Sequence, residues 1–214
     1  MRILCADNSP VSRIGISKTL AKFDYTIDRE VESFSQLIAQ LESSQFDLLI
    51  TELRFHDAEF LDVVDQIQGR SPDLKILIYT FHVNPTYVAR SAAHNLYDFV
   101  LKNTAINRLI QSVAAAKEGA APADSLLLKA SKFLSQPART SMLAAGSLTK
   151  RELQILTHLS LGLSNREISA MLMISLETVK EHVQNILRKL KSADRTEAAV
   201  WALRNGIPTL SLSE

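Results

Sequence analysis

"FDLLITELRF" (residues 46–55) is a nearly continuous apolar run that ends in a carboxylate, Glu52, with an arginine, Arg54, two residues later. Leu48, Leu49 and Ile50 without alternation are the pattern of a strand covered on both faces, as in a parallel sheet between helical layers. The polar "SSQ" (43–45) before it and "HDAE" (56–59) after it bound the run. A buried carboxylate is costly unless it finds a cation or donors. In open α/β sheets ligands bind outside the carboxyl ends of the strands, which is where Glu52 falls. What holds Glu52 there decides how this half of the chain works.

Outward from this strand, strands alternate with helices. "RILCA" (2–6) is a first strand, "DNSP" (7–10) a turn, and Ser9-Pro10 supply an N-cap and first-turn proline for a helix to about Lys22. Val11, Ile14, Ile16 and Leu20 are expected to form its buried side. "YTIDREV" (25–31) reads as a strand and "SFSQLIAQLES" (33–43) as a helix with Leu37, Ile38 and Leu41 inward. "AEFLDVVDQIQG" (58–69) is a helix expected to stop at Gly69. "LKILIYT" (74–80), "PTYVARSAAHN" (85–95), "YDFVL" (97–101) and "TAINRLIQSVAAAK" (104–117) complete the alternation as strand, helix, strand, helix. Five strands alternating with five helices predict a doubly wound, flavodoxin-like α/β domain with a five-stranded parallel sheet over residues 1–117.

Residues 118–147 read as a linker, "EGAAPADS" and "SQPARTSMLAAGS" flanking a short helical stretch, "LLLKASKFL" (126–134). From Leu148 the strand pattern disappears. Four helix starts carry caps: Thr149 with Glu152, Ser164 with Glu167, Ser175, and Asp194 with Glu197, three of them capping-box patterns. Residues 148–214 are therefore predicted to be a compact all-α, four-helix domain.

The chain of 214 residues is 46% hydrophobic and 22% charged with formal net charge +1. That near-neutrality hides a division: residues 1–113 carry 11 basic and 14 acidic side chains, residues 148–214 carry 9 and 7. No window of about 18 uncharged apolar residues predicts a membrane span, and the first residues lack a signal-peptide pattern, so a cytoplasmic location is expected. One cysteine, Cys5, excludes an internal disulfide framework. Mid-strand, it reads as a small buried hydrophobe. His56, His82 and His94 lack metal-ligand spacing, and no metal site is expected.

Within "LSNREISAMLMISLETVKEHVQNILRKL" (163–190) a short helix, a tight connection and a longer helix follow one another. On the longer one, Val179, Val183, Ile186, Leu187 and Leu190 form an inward stripe, while Glu177, Lys180, Glu181, Gln184 and Arg188 form an outward polar stripe. A helix presented in this way suits a major groove; spacing alone equally describes a solvated face.

"LTKRELQILTHLSLGLSNREISAMLMISLETVKEHVQNILRKL" followed by "DRTEAAVWALRNG" resembles the LuxR-type helix-turn-helix DNA-binding domain over residues 148–206. The resemblance implies that Lys180, Glu181 and Gln184 face bases. It places Asn165, Arg166, Thr178 and Lys189 near the DNA backbone, where Arg188 of the outward stripe can also neutralise phosphate, and a dimer contact at Ala199, Val200 and Leu203.

Residues 1–117 resemble the receiver domain of two-component response regulators, and the order of the two domains resembles regulators of the NarL/FixJ type. In that family two adjacent acids and an aspartate hold Mg²⁺, the aspartate accepts a phosphoryl group, and a hydroxyl and a lysine contact it. Asp7, Thr80 and Lys102 match this pattern, and Phe99 matches the switch aromatic. Asn8 stands where the second acid belongs and Glu52 where the phosphoacceptor belongs. Mg²⁺ demands near-octahedral hard oxygen ligands, so its binding is expected to be weak or absent, with no other cofactor. Glu52 within reach of Lys102 would partly imitate a phosphorylated aspartate. The resulting expectation is a non-enzymatic, dimeric regulator of promoter DNA whose receiver is not switched by aspartyl phosphorylation, being either constitutively competent or controlled by a regulatory protein or small ligand. Two alternatives stay open: a phosphorelay regulator with weak phosphorylation at Glu52 or Asp57, and an interaction protein that sequesters another regulator.

Overall fold

A computed structural model describes residues 1–82, 84–122, 124–135, 148–205 and 207. The expected linker stretch after Ser135 lies outside the described residues. The elements are β1 (Ile3–Ala6), α1 (Pro10–Ala21), β2 (Ile27–Val31), α2 (Phe34–Ser43), β3 (Leu48–Thr51), α3 (Phe60–Arg70), β4 (Lys75–Thr80), α4 (Pro85–Ala93), β5 (Asp98–Leu101), α5 (Ile106–Glu118), α6 (Leu126–Ser135), α7 (Lys150–Ser160), α8 (Asn165–Leu172), α9 (Leu176–Leu190) and α10 (Arg195–Arg204). They form two compact units, Met1–Val83 with Asn95–Leu126, and Asn84–His94 with Leu127–Glu214.

The first unit holds a five-stranded parallel sheet in the order β2-β1-β3-β4-β5. β1 and β3 are buried at every residue, as their unbroken apolar runs require. Ile3, Cys5, Leu48, Ile50, Leu77, Tyr79 and Val100 pack with Ile16 and Leu20 of α1 and Leu109, Val113 and Ala116 of α5. By the period-2 alternation of a strand, Leu4, Ala6, Leu49, Ile76, Ile78 and Phe99 address the opposite face. Phe60, Leu61, Val64 and Ile67 of α3 are likewise buried. Each such Leu or Ile contributes about 1.5–3 kcal/mol when removed from water. Cys5 is fully buried, and burial together with Asp7 and Glu30 pushes its thiol up to about 12.

Ser9 and Ser33 cap α1 and α2 through their side chains, each accepting from the backbone N–H three residues on. Two expectations are corrected. Val11 and Ile14 are 79% and 52% exposed, so α1 buries only Ile16 and Leu20. Four apolar residues at these spacings span more than one helix face, and the sheet covers only part of it. α3 also runs through Gly69 to Arg70 and ends at Ser71, one residue before Pro72, the true breaker.

In the second unit α7–α10 enclose Ile155, Leu156, Leu159, Leu163, Ile168, Val179, Val183, Ile186, Ala198 and Ala202. Thr149–Glu152 and Ser164–Glu167 are complete capping boxes. At α10 Asp194 accepts from Glu197 N, but Glu197 reaches back to Ala193 N, one residue before the cap, so the third expected box is open. Between α7 and α8, Gly162 takes φ +75°, and a Cβ there would come within 3.1 Å of Thr86 Cγ2 on α4. The stretch expected at 126–134 is helix α6, and its Leu134 carbonyl lies 3.5 Å from Gln154 Nε2 on α7.

Candidate functional site

The parallel strands deliver their carboxyl ends to one edge of the sheet. Asp7 follows β1, Glu52 follows β3, Thr80 ends β4 and Lys102 follows β5. Backbone bonds fix the ends: Glu52 N donates to Ala6 O at 2.9 Å and Lys102 N to Thr80 O at 2.8 Å. Four residues far apart in sequence thereby converge.

Lys102 is the centre of the cluster. Its Nζ donates to Asp7 Oδ2 at 2.5 Å and to Glu52 Oε2 at 2.7 Å. The three side chains are 6%, 3% and 9% exposed, so the triad is largely withdrawn from water. Burial opposes the lysine charge, but hydrogen bonds to and negative charge from Asp7 and Glu52 outweigh it and hold the Lys102 pKa above its usual value. The other carboxylate oxygens are also used. Asp7 Oδ1 accepts from Ser9 N at 2.8 Å, and Oδ2 accepts from Ser12 Oγ at 2.6 Å. Glu52 Oε1 accepts from Leu53 N at 2.7 Å. The additional methylene of glutamate lets one oxygen fold back on the following amide while the other reaches the lysine.

Arg54 is not the partner of Glu52. It is exposed, its backbone forms an isolated antiparallel β-bridge with that of Glu59, and its carbonyl lies 3.4 Å from Asn8 Nδ2. Thr80 is fully buried with its hydroxyl accepting from His82 N at 3.1 Å, and Phe99 is buried beside Asp98 in β5. Asp57 has a role the sequence did not disclose. Its carboxylate caps α2, accepting from Phe34 N and Ser35 N at 3.0 Å each and from Ser35 Oγ at 2.8 Å. Those bonds outweigh its slight desolvation and lower its pKa.

The donor set suits an ammonium better than Mg²⁺. Asn8 offers an amide where a third charge would help, and both carboxylates already coordinate Lys102 and backbone or hydroxyl donors. Octahedral coordination would require these bonds to be given up. Among the described residues no group of three His, Cys, Asp or Glu side chains is arranged to hold a metal ion.

In the second unit Val179, Val183 and Ile186 of α9 are buried, while Glu177, Lys180, Glu181, Gln184 and Arg188 are exposed along one side. Lys180 lies 3.1 Å from Glu177, and Arg188 donates to Asn185 at 2.8 Å. Thr178 is half-buried, with its hydroxyl 2.8 Å from Ser175 Oγ. Asn165 is half-buried at the start of α8 and Arg166 beside it is exposed. Lys189 is turned the other way: its Nζ donates to Glu152 Oε2 at 2.6 Å, against the capping box of α7. Val200 and Leu203 of α10 are 40% and 50% exposed, and Ala199 is half-buried. Glu167, inside the α8 capping box, accepts from Arg90 Nε of α4 at 2.8 Å and lies 3.3 Å from His94 Nε2. Desolvation raises its pKa, but bonds from His94, Ser164 and Arg90 bring it down to about 2.

Residues 3–114 match the family model of the response regulator receiver domain, and residues 146–202 match that of bacterial regulatory proteins of the luxR family. The transcriptional regulatory protein YxjL of Bacillus subtilis is 30% identical over 213 residues, covering 97% of each chain. Response regulator VraR of Staphylococcus aureus is 29% identical over 209 residues, covering 97% of this chain and 98% of that one. RcsB of Salmonella enterica serovar Typhimurium, solved on promoter rprA, shares the fold with a TM-score of 0.55 at 23% identity, over 94% of this chain and 97% of that one. With a receiver fold in front and a luxR-family helical domain behind, matched end to end by such relatives, the chain belongs to the response regulators of the NarL/FixJ type.

Proposed function

We propose that this chain is a sequence-specific transcription regulator that binds promoter DNA as a homodimer in the cytoplasm, and that its receiver works without aspartyl phosphorylation. The observation that carries the second part is the position of Lys102 between Asp7 and Glu52, 2.5 and 2.7 Å away. In-line phosphoryl transfer depends on positioning and on a metal that neutralises developing charge. Here the acceptor is one methylene longer, one metal-binding acid is an amide, and the neutralising cation is the protein's own. The chain itself then carries out no catalysis. Its input is a regulatory protein or small ligand at the receiver.

DNA binding is supported by the exposed face of α9 and by relatives of which RcsB has been solved on DNA. Lys180, Glu181 and Gln184 would meet base edges, with Asn165, Arg166, Thr178 and Arg188 toward the backbone. Lys189 contributes through α7 instead, by holding the capping box whose helix supports α9. Val200 and Leu203 supply apolar surface for the second copy.

The test is a pull-down of genomic fragments by the full-length protein, with and without acetyl phosphate and Mg²⁺. The same promoters at the same affinity in both arms are expected. Mg²⁺-dependent incorporation of label from acetyl phosphate that disappears in Glu52→Gln, together with tighter binding, would sink the phosphorylation-independent reading.

A further inference from the structure

Beside the ion triad lies a cleft of about 300 Å³, lined on α1 by Val11, Ser12, Gly15 and Thr19 and opposite them by Tyr79 of β4, Phe81 and Lys102 just after β4 and β5, and Ile106 at the start of α5. That volume sits at the lower end of small-molecule pockets, roughly 300–1,000 Å³. We propose that this cleft binds a small, flat, uncharged aromatic compound, and that its occupancy is read out through Lys102.

Three features point to that chemistry. First, the cleft is flanked by apolar side chains that folding leaves in water: Val11 at 79%, Phe81 at 67% and Ile106 at 45% exposed. Exposed apolar residues scattered singly need no explanation, but a group of them around a concavity marks a binding surface. Second, Gly15 lies inside α1, where glycine is a poor helix former, and a Cβ built on it meets nothing within 4 Å. The absent side chain is part of the space. Third, Lys102 Nζ stands 5.7 Å from the Tyr79 ring centroid and 5.5 Å from that of Phe81. An aromatic guest against these rings competes with the same ammonium that holds Asp7 and Glu52.

Charge selects among guests. Asp7, Glu52 and Lys102 together carry one net negative charge, and the ammonium already has two carboxylate partners, so an anion gains nothing here. Ser9 and Thr19 provide hydroxyls for a guest with a polar substituent. A ligand in this cleft would meet the triad from its open side, which places the input of the regulator next to the pocket that phosphate would otherwise use. This deepens the reading of the triad as closed to phosphoryl chemistry, and rests on it.

The experiment uses full-length protein, 1-naphthol as the neutral probe and 1-naphthoate as its anionic counterpart, followed by amide chemical shifts. Naphthol is expected to bind with shifts centred on Thr19, Phe81 and Lys102, at least tenfold more tightly than naphthoate. Gly15→Leu, which fills the cleft with a better helix former, is expected to weaken naphthol at least tenfold while leaving the thermal unfolding midpoint unchanged or higher. Absence of binding, equal binding of the two probes, or unchanged binding by Gly15→Leu overturns the proposal. So does a sedimentation change showing that Gly15→Leu alters self-association and not naphthol affinity, because the face would then belong to a second copy. A parallel Mg²⁺ titration of the same sample separates the two ideas: tight Mg²⁺ binding defeats the closed triad, whatever naphthol does.

Discussion

The acid pocket of the first unit and the outward face of α9 in the second both contain a lysine beside acidic residues, yet the two lysines live in different media. Lys102 is 6% exposed and bonded to two carboxylates, whereas the Lys180 side chain is 49% exposed beside a Glu177 that is 73% exposed. Removing one member of a buried set leaves an uncompensated charge, while an exposed pair is worth at most about 1 kcal/mol and is screened by salt. The buried set therefore fixes a structure, and the exposed pair is free to exchange its partner for a nucleic acid.

Lys102→Met tests the first half of that contrast with the largest effect. It is expected to lower stability by about 3–5 kcal/mol, since it strands Asp7 and Glu52 together in the pocket. Urea denaturation measures it, and a loss below about 1 kcal/mol would mean that the triad is as well hydrated as a surface pair.

Acid should act on the second unit through Glu167. Its pKa falls from 4.5 to about 2 on folding, so the stability it contributes is fully present above pH 4.5 and is lost as the pH falls from there toward 2. Trp201, the only tryptophan, reports this unit by fluorescence. Glu167→Gln should flatten the acid limb, and an unchanged limb would remove the ion cluster from the account. His158 adds a milder dependence of the same sign. Burial lowers its pKa below 6.5, so its share is present above pH 6.5 and fades below it.

Lys180→Ala sharpens the second half of the contrast. It is expected to weaken DNA binding by about 1–3 kcal/mol if it meets a base edge, or to reduce the salt slope by about 1 if it meets phosphate, with stability unaffected. Unchanged affinity and slope would show that another face of α9 enters the groove. The smallest effect belongs to the caps: Thr149→Ala should cost about 1 kcal/mol of stability by freeing the first turn of α7. Thermal unfolding of the variant checks it, and an equal loss from Lys189→Ala would indicate that the lysine acts through the same capping box.

Much of the fold was legible because its signals are local. The apolar runs of β1, β3 and β4, the serine caps of α1 and α2, and the capping boxes at Thr149 and Ser164 need only neighbours in sequence to be read. The misreadings share one cause, which is that they concern which neighbour lies across space. Val11 and Ile14 look like core until the sheet is seen to cover only the Ile16–Leu20 side of α1. The ion pair of Lys189 with Glu152 is likewise invisible in local sequence, because Glu152 lies 37 residues earlier in the chain. Asp57, named beside Glu52 as an alternative acid for weak phosphorylation, is folded by the loop after β3 onto the start of α2, a contact that local sequence does not reveal.

Glu52 draws the line between the two kinds of information. Sequence by itself determined that a carboxylate would sit at the carboxyl end of a buried strand, that an amide, Asn8, would follow Asp7 after β1, and that a lysine would follow β5, because strand pattern and chain order are written in consecutive residues. Only the tertiary structure decided that Lys102, not Arg54, would neutralise that carboxylate, that Asp7 would share the same ammonium, and that an open cleft would remain beside it. Partner choice for a buried charge depends on distances of a few ångströms and on exclusion of water, and both exist only once the strands are side by side.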